Sequence, residues 1–284
     1  EAGLKVVLSG LGGDELFGGY PSFSLVSQLR QKKKLLNLFP NFLTKFGTNL
    51  LKKTMPSDQS DKLEHWLEGK LSGPHEYFLI RALYCENQVL DLFVDQDIIK
   101  KEILSNFKNT NKLLNDLKIN GDFTLVSYLE ITHYLQNMLL RDTDMMSMSI
   151  PLEVRVPFMD HKLVEYMFSL PEKHKKLTDT PKSLLVDSLK TPLPDSVINR
   201  KKMGFTLPFE LWMRGKLKSE IESVLLTPIK LFDELISQSA VEKIWKQFLI
   251  GNTSWSRPWS LYVLKRWIDK NPKKGVELMR TSFF

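Results

Sequence analysis

The alternation of apolar and polar residues predicts one short strand followed by a chain that is almost entirely helical. Residues 4–8 (Leu-Lys-Val-Val-Leu) form a mostly apolar run, which is typical of a parallel strand covered on both faces. From Asp14 the apolar spacing becomes helical, with Leu16 and Phe17 as the first buried face. We therefore expect one visible strand and about a dozen helices.

Apolar spacing and breaker residues divide the remainder of the chain into further helices. The predicted segments are helices between Phe23 and Lys53 with a break at Pro40, a polar connection over 56–61, a short helix over 65–70, a break at Gly73–Pro74, two helices over 75–92 and 95–118 of which the second fades in the Asn-rich stretch 106–115, and a helix over 124–140.

A glycine-rich turn follows the predicted strand directly. Residues 9–20 read Ser-Gly-Leu-Gly-Gly-Asp-Glu-Leu-Phe-Gly-Gly-Tyr. Glycine lets a ligand approach the backbone N–H groups closely, and the adjacent carboxylates of Asp14 and Glu15 repel one another unless a cation is near. Phosphate bridged by magnesium would suit such a turn. The spacing matches neither the P-loop nor Gly-x-Gly-x-x-Gly, and a plain tight turn is the alternative.

Two later blocks make the first one recognisable. Residues 140–161 contain Leu-Arg-Asp-Thr-Asp and then Glu-Val-Arg-Val-Pro-Phe-Met-Asp-His, and residues 199–208 read Asn-Arg-Lys-Lys-Met-Gly-Phe-Thr-Leu-Pro. Together with residues 9–20 they resemble the SGxGxDExFGGY, LRxxD, ExRVPFLDH and RxKxGFxxP segments of the glutamine-hydrolysing asparagine synthetases. The resemblance covers about residues 1–270, which is nearly the whole chain.

The resemblance implies a fold and an activity. It implies an α/β fold: a partial adenine-nucleotide α-hydrolase-like (PP-loop) domain, with one or few parallel strands and a predominantly helical remainder, spanning residues 1–284 as an N-terminally truncated synthetase domain. Enzymes of this family use ATP and Mg²⁺ to activate the aspartate side chain as an acyl-adenylate. Ammonia derived from glutamine then gives asparagine, AMP and pyrophosphate.

Two parts of the family pattern are not in this sequence. The Ser-Gly-Gly-x-Asp-Ser pyrophosphatase loop is absent, and so is the glutaminase domain with its N-terminal cysteine; the single cysteine, Cys85, stands in a helical setting. We expect the chain to be inactive alone and to act within a full-length enzyme or with a separate glutaminase subunit. An edge strand of a parallel sheet without a neighbouring strand promotes association between chains, so oligomerisation is expected too.

The resemblance also implies the site residues. Arginine suits the departing pyrophosphate because its guanidinium donates two parallel hydrogen bonds, and lysine suits it because its ammonium is a compact charge. A carboxylate suits the metal ion that neutralises the pyrophosphate. The implied catalytic residues are Asp14, Arg155 and Lys202; the implied ATP or pyrophosphate contacts are Ser9, Gly10, Gly12, Asp14, Glu15 and Tyr20; the implied magnesium ligand is Asp14.

Some of these assignments have structural alternatives. Glu15 also suits the N-terminus of a helix, where it would complement the helix dipole. Arg155 could instead form a buried pair with Glu153 or Asp160, and Lys202 could belong to a basic surface loop in which Lys201 makes the register ambiguous by one residue.

Leu11 departs from the family pattern, which tends to carry glutamate at this position. Leucine cannot accept a proton, so the aspartate substrate is in question. One alternative is a related amidotransferase that acts on a sugar, a cell-surface precursor or a peptide carboxylate. Another is a non-catalytic subunit, which the absent pyrophosphatase loop favours.

Composition narrows the remaining classes. The chain has 284 residues, 42% of them hydrophobic, and a formal charge of +7 that is spread over small separated basic groups. Without interleaved aromatic residues, such groups do not indicate a nucleic-acid partner, and no apolar run is long enough to span a bilayer. One cysteine fits a reducing, cytoplasmic location. The five histidines show no metal-type spacing.

Overall fold

The computed structural model describes residues 3–36, 57–67, 75–175, 180–200 and 207–272. The elements in these ranges, in chain order, are β1 (Val6–Leu8), α1 (Gly13–Phe17), α2 (Pro21–Leu36), α3 (Ser57–Leu67), α4 (His75–Arg81), α5 (Glu86–Leu92), α6 (Gln96–Asp116), α7 (Asp122–Leu129), a π-helix (Glu130–Leu139), α8 (Leu140–Met148), β2 (Glu153–Arg155), a 3₁₀ turn (Pro157–Met159), α9 (His161–Ser169), a second 3₁₀ turn (Glu172–His174), α10 (Ser183–Asp187), α11 (Asp195–Ile198), α12 (Phe209–Arg214), α13 (Lys218–Leu226), α14 (Lys230–Asp233), α15 (Gln238–Leu249) and α16 (Ser256–Lys270).

The chain folds as two compact units. The first comprises Glu1–Lys32 with Leu113–Met203, and the second comprises Lys33–Lys112 with Gly204–Phe284. The domain expected from the sequence thus contains two bodies, and the boundaries fall within α2 and α6. No helix among the described ranges is both long enough and apolar enough to cross a membrane.

The sheet of the first unit has two parallel strands. Val7 of β1 pairs with Val154 of β2 in register, and Leu8 pairs with Arg155. The predicted strand is confirmed, but the expectation of one strand is wrong, because β2 is a polar tripeptide whose partner lies far away in sequence. The expected cover on both faces is also not found, since Leu8 is 73% exposed in the described chain.

The first unit packs its core against α1. Leu16 and Phe17 are buried with Met167 of α9, which confirms the predicted first apolar face of the helix. The ring of Phe17 meets Phe158 edge-on, with ring centroids 5.8 Å apart. The turn before α1 is thereby anchored to the residues that follow β2.

A continuous helical rod runs through α7, the π-helix and α8. Helical periodicity was predicted over 124–140, but the central ten residues adopt the wider π form, in which the Leu140 N–H donates to the Leu135 carbonyl. Leu129, Glu130 and Leu135 are fully buried along it. The periodicity of apolar residues does not separate an α-helix from a π-helix, so this feature was not predictable.

The second unit has its own core. The helices α12 to α16 enclose buried Phe232, Val241 and Phe248. The ring of Phe209 in α12 stacks on Trp255 with ring centroids 4.7 Å apart, and both residues pack against this core. Arg214 donates to the carbonyls of Phe248 and Leu249 and so closes the C-terminal end of α15.

Three predicted helix boundaries in this unit are wrong. The polar connection over 56–61 is helical from Ser57 onward. The single helix over 75–92 is two helices, because Cys85 begins a new one with its N–H bonded to the side chain of Gln88. The helix α6 does not fade in its Asn-rich stretch, since exposed asparagines cost a helix only a few tenths of a kcal/mol each. Pro40, residues 68–70 and Gly73–Pro74 lie outside the described residues.

The fold class is therefore a mostly helical α/β protein with a small parallel sheet, as predicted in its coarse form. The assignment to the PP-loop fold stays a prediction.

Candidate functional site

The carboxyl ends of β1 and β2 bring the first two sequence blocks together. The N–H of Ser9, the first residue after β1, donates to the Arg155 carbonyl at 2.8 Å. The glycine-rich turn and the Glu-Val-Arg block thus lie side by side at one edge of the sheet. In parallel α/β sheets this edge is where ligands bind.

The turn packs tightly on the residues after β2. Gly12 has φ +92°, a left-handed conformation that favours glycine, and a Cβ at this position would lie 2.6 Å from Sδ of Met159. A Cβ at Gly13 would lie 3.3 Å from the ring of Phe158. Glycine at position 12 is therefore required both by backbone conformation and by the approach of the second block.

Asp14 pairs with a residue that the sequence analysis did not identify. The Lys182 ammonium lies 2.8 Å from Oδ1 of Asp14, and both side chains are about one-third exposed or less. Lys182 stands immediately before α10 with φ 54°. A cation therefore faces the carboxylate that the resemblance assigns to magnesium pyrophosphate.

Gly19 gives this ion pair its space. A Cβ at Gly19 would overlap the Asp14 carboxylate and would lie 2.8 Å from Cε of Lys182. The Gly19 N–H also donates to the Asp14 carbonyl at 2.8 Å. Gly19 thus closes the turn with its N–H and, because it has no Cβ, leaves room for the Asp14 side chain.

Glu15 lies inside the fold. It is 1% exposed, and its carboxylate accepts a hydrogen bond from the Tyr20 hydroxyl at 2.7 Å. Burial raises the pKa of the Glu15 carboxyl, and it also raises the pKa of the Tyr20 phenol, which Glu15 raises further by accepting a hydrogen bond from it. Glu15 stands in the first turn of α1, as its structural alternative requires, and the contacts of Glu15 and Tyr20 with ATP or pyrophosphate stay predictions.

The opening of the turn presents backbone donors. The Ser9 hydroxyl accepts from the Leu11 N–H at 3.3 Å, while the Gly13 N–H donates to the Gly10 carbonyl. Within the described part of the chain, the N–H groups of Gly10 and Gly12 donate to no protein acceptor. Gly10 and Gly12 flank Leu11, and unpaired N–H groups in a glycine turn suit an anion.

Arg155 is at the same edge of the sheet but is largely exposed. Its Nε lies 2.7 Å from Oε1 of Glu153, and the side chains are 63% and 55% exposed. The alternative of a pair with Glu153 is thus realised at the surface and not in the interior. Asp160 instead accepts from the Lys162 N–H and begins α9.

Most of the third block lies outside the described residues. Lys201 and Lys202 lie outside the described residues, so their roles stay predictions. Among the described residues, no group of three or more histidine, cysteine or acidic side chains is arranged to hold a metal ion.

Two polar residues of the site were missed by sequence reasoning. Lys182 stands in Thr-Pro-Lys-Ser, a context without a motif, and Glu130 reads as an ordinary helix residue. Glu130 is fully buried and accepts from the Ser22 hydroxyl at 2.6 Å. A charged residue inside an apolar helical stretch was the only available signal for Glu130.

Comparison with known proteins identifies relatives that match nearly the whole chain. The sequence matches the family model described as asparagine synthase over residues 1–269. It is 24% identical to asparagine synthetase [glutamine-hydrolyzing] 1 of Bacillus subtilis over 95% of this chain and 41% of that protein. It is 36% identical to asparagine synthetase [glutamine-hydrolyzing] 3 of the same organism over 38% of this chain and 19% of that protein.

A fungal protein is similar as well. The chain is 25% identical to amidase chyE of Penicillium rubens over 85% of this chain and 38% of that protein. No solved structure matches. The chain spans about two fifths of the length of the first of these relatives. Because the family match extends over nearly its whole length, the chain belongs to the asparagine synthase family.

Proposed function

We propose that this chain forms the pyrophosphate-binding side of an ATP-dependent, amide-forming ligase whose product is asparagine. The observation that carries the proposal is the meeting of the first two family blocks at the carboxyl ends of β1 and β2, where the Ser9 N–H bonds the Arg155 carbonyl. The Asp14–Lys182 pair lies at the end of the same turn. The adenine-nucleotide α-hydrolase-like (PP-loop) fold is proposed with it.

The proposed reaction has two steps. A carboxylate oxygen of aspartate attacks the α-phosphorus of ATP, and pyrophosphate leaves. Ammonia then attacks the acyl carbon, AMP leaves with the bonding electrons, and the nitrogen loses a proton. Both steps develop negative charge on phosphate oxygens, so fixed cations and N–H donors accelerate them.

The residues of this chain would serve the leaving pyrophosphate. The N–H groups of Gly10 and Gly12 would donate to its oxygens, Lys182 and Arg155 would balance its charge, and Lys202 would act from the third block. Asp14 would hold magnesium, which supplies charge neutralisation when bound. Glu15 and Tyr20 would support the turn from behind, since Glu15 is buried.

The chain would act together with a source of ammonia. The two Bacillus subtilis relatives named above are glutamine-hydrolysing synthetases, and this chain spans 41% of the length of the first. We propose a glutaminase domain or subunit as the partner, small-molecule substrates, a reducing cytoplasmic setting, and no activity for this chain alone.

Exchange of labelled pyrophosphate into ATP tests the proposal. In the complete gene product, exchange should require both magnesium and aspartate, and its loss in Asp14→Asn should identify the site. Exchange that ignores aspartate would eliminate asparagine synthesis while leaving adenylation intact.

A different acceptor is the second candidate, and Leu11 favours it. Leu11 replaces an acid by a side chain that cannot take a proton from an attacking amine, and the similar fungal protein is named an amidase. A panel of carboxylates in the exchange assay would identify the acceptor. Absence of ATP–magnesium binding by calorimetry would instead indicate a non-catalytic subunit.

A further inference from the structure

The end of the glycine-rich turn and the start of α2 contact the π-helix at two points. The Glu130 carboxylate accepts from the Ser22 hydroxyl at 2.6 Å, and both residues are at most 2% exposed. The ring of Tyr134 meets Tyr20 edge-on, with centroids 5.8 Å apart and an interplanar angle of 81°. Tyr20 and Ser22 flank Pro21, where α2 begins.

Both attachments come from one side of the helix. Glu130 and Tyr134 are four residues apart, so they face the same direction. π-Helices are rare and occur frequently at functional sites, where the wider turn changes which residues face a neighbour. Here the π form begins at Glu130 and includes Tyr134.

Two hydrogen bonds connect the residues around Tyr20 to Asp14 and its neighbour Glu15. The Tyr20 hydroxyl donates to Glu15, which is adjacent to Asp14. The Gly19 N–H, adjacent to Tyr20, donates to the Asp14 carbonyl. Tyr20 therefore bonds the residue after Asp14, its neighbour Gly19 bonds the Asp14 carbonyl, and the ring of Tyr20 contacts Tyr134 of the π-helix.

We propose that Glu130 and Tyr134 are positioning residues, which hold the turn through Ser22 and Tyr20 so that the Asp14 carboxylate meets Lys182. The pairing of Asp14 with Lys182 is a property of the fold. Only the consequence for pyrophosphate binding rests on the function proposed above.

The reactivity of Lys182 tests the positioning role without any ligand. In the purified protein, acetylation of Lys182 by acetic anhydride is followed by mass spectrometry, with Asp14→Asn as the reference for an unpaired lysine. Glu130→Ala and Tyr134→Leu should raise the rate to at least half that reference. Glu130→Gln retains an acceptor for Ser22 and should restore the slow rate, whereas Gln136→Ala, at an exposed position of the same π-helix, should not change it.

If Glu130→Ala does not fold, Ser22→Ala serves instead, because it removes the same hydrogen bond by deleting only one hydroxyl. The acetylation rate of Lys182 is then measured in Ser22→Ala. A Lys182 rate that stays slow in these variants while their circular dichroism matches the wild type overturns the positioning role.

Binding of magnesium pyrophosphate separates this proposal from the proposed function. Affinity measured by calorimetry should fall about tenfold in Glu130→Ala and recover in Glu130→Gln. If the wild type does not bind magnesium pyrophosphate while Lys182 is acetylated rapidly in the variants, the proposed function is overturned and the positioning role is retained. Binding that is equal in all variants, despite a fast Lys182, overturns the link from the ion pair to the ligand.

Discussion

Lys182 lies 2.8 Å from Asp14, although Asp14 belongs to the glycine-rich turn near the start of the chain and Lys182 to a segment far downstream. The pair joins the acidic position of the first block to a residue outside all three blocks. A partly exposed pair of this kind contributes only about 0.2–1 kcal/mol to stability, so its value lies in placing a cation at the site.

Removal of the Lys182 cation should affect the reaction more than the fold. In Lys182→Met, kcat for amide formation should fall by about 10- to 100-fold, because a donor to the developing pyrophosphate is lost. Steady-state kinetics of the complete gene product measure this effect. Lys162→Met, at an exposed position of α9, serves as the matched control and should retain wild-type rates. Equal rates for both variants would contradict the role of Lys182.

A methyl group at Gly19 should displace the Asp14 carboxylate. The group would occupy the space of that carboxylate, and side-chain ends move easily, so the fold should tolerate Gly19→Ala. We expect affinity for magnesium pyrophosphate to fall about tenfold, as measured by calorimetry. The control is a double-mutant cycle: in an Asp14→Ala background, Gly19→Ala should have no further effect. Additive losses would mean that Gly19 acts on something other than Asp14.

The third block should act in the transition state. In Lys202→Ala, kcat should fall about 100-fold or more, while the Kd for ATP should change far less, because the lysine serves charge that develops only as pyrophosphate leaves. Single-turnover kinetics and ATP titration measure the two quantities separately. Equal losses in both would indicate a uniform binding role.

Buried Glu15 should make stability depend on pH. Burial raises the pKa of Glu15 above its ordinary value of 4.5, so the folded state binds a proton where the unfolded chain has released it. This contribution to the free energy of unfolding is present below pH 4.5 and is lost as pH rises through the raised pKa. In urea unfolding across this window, the free energy of unfolding of Glu15→Gln should decrease less with rising pH than that of the wild type. Glu165→Gln, which changes an exposed carboxylate on α9, should keep the wild-type slope.

Exposed apolar side chains should promote self-association of this chain. Leu8 is 73% exposed beside the sheet, and Met145 and Met146 of α8 are 72% and 74% exposed. Unpaired parallel strands and apolar patches favour association. Analytical ultracentrifugation should detect oligomers that are reduced by Leu8→Lys with Met145→Lys, and not by Leu104→Lys in the second unit. A monomeric wild-type sample would overturn this expectation.

Local patterns predicted local structure well. The apolar run before the glycines is β1, and Leu16 and Phe17 do form the buried face of α1. Residues 153–155, a polar tripeptide, gave no strand signal, because their pairing with β1 depends on a partner far away in sequence. The π-helix was not visible either, because the apolar residues over 124–140 indicate a helix without specifying its hydrogen-bond pattern.

The sequence by itself determined the family, the strand-then-glycine turn, and the acidic and basic residues that suit a magnesium-bound phosphate. These properties are carried by residue type and by spacing within one segment. Only the tertiary structure decided that Asp14 meets Lys182, that Glu15 lies inside the fold, and that Arg155 is exposed beside Ser9. The physical reason is that burial and ion pairing depend on which distant segments pack together, and no local pattern encodes that distance.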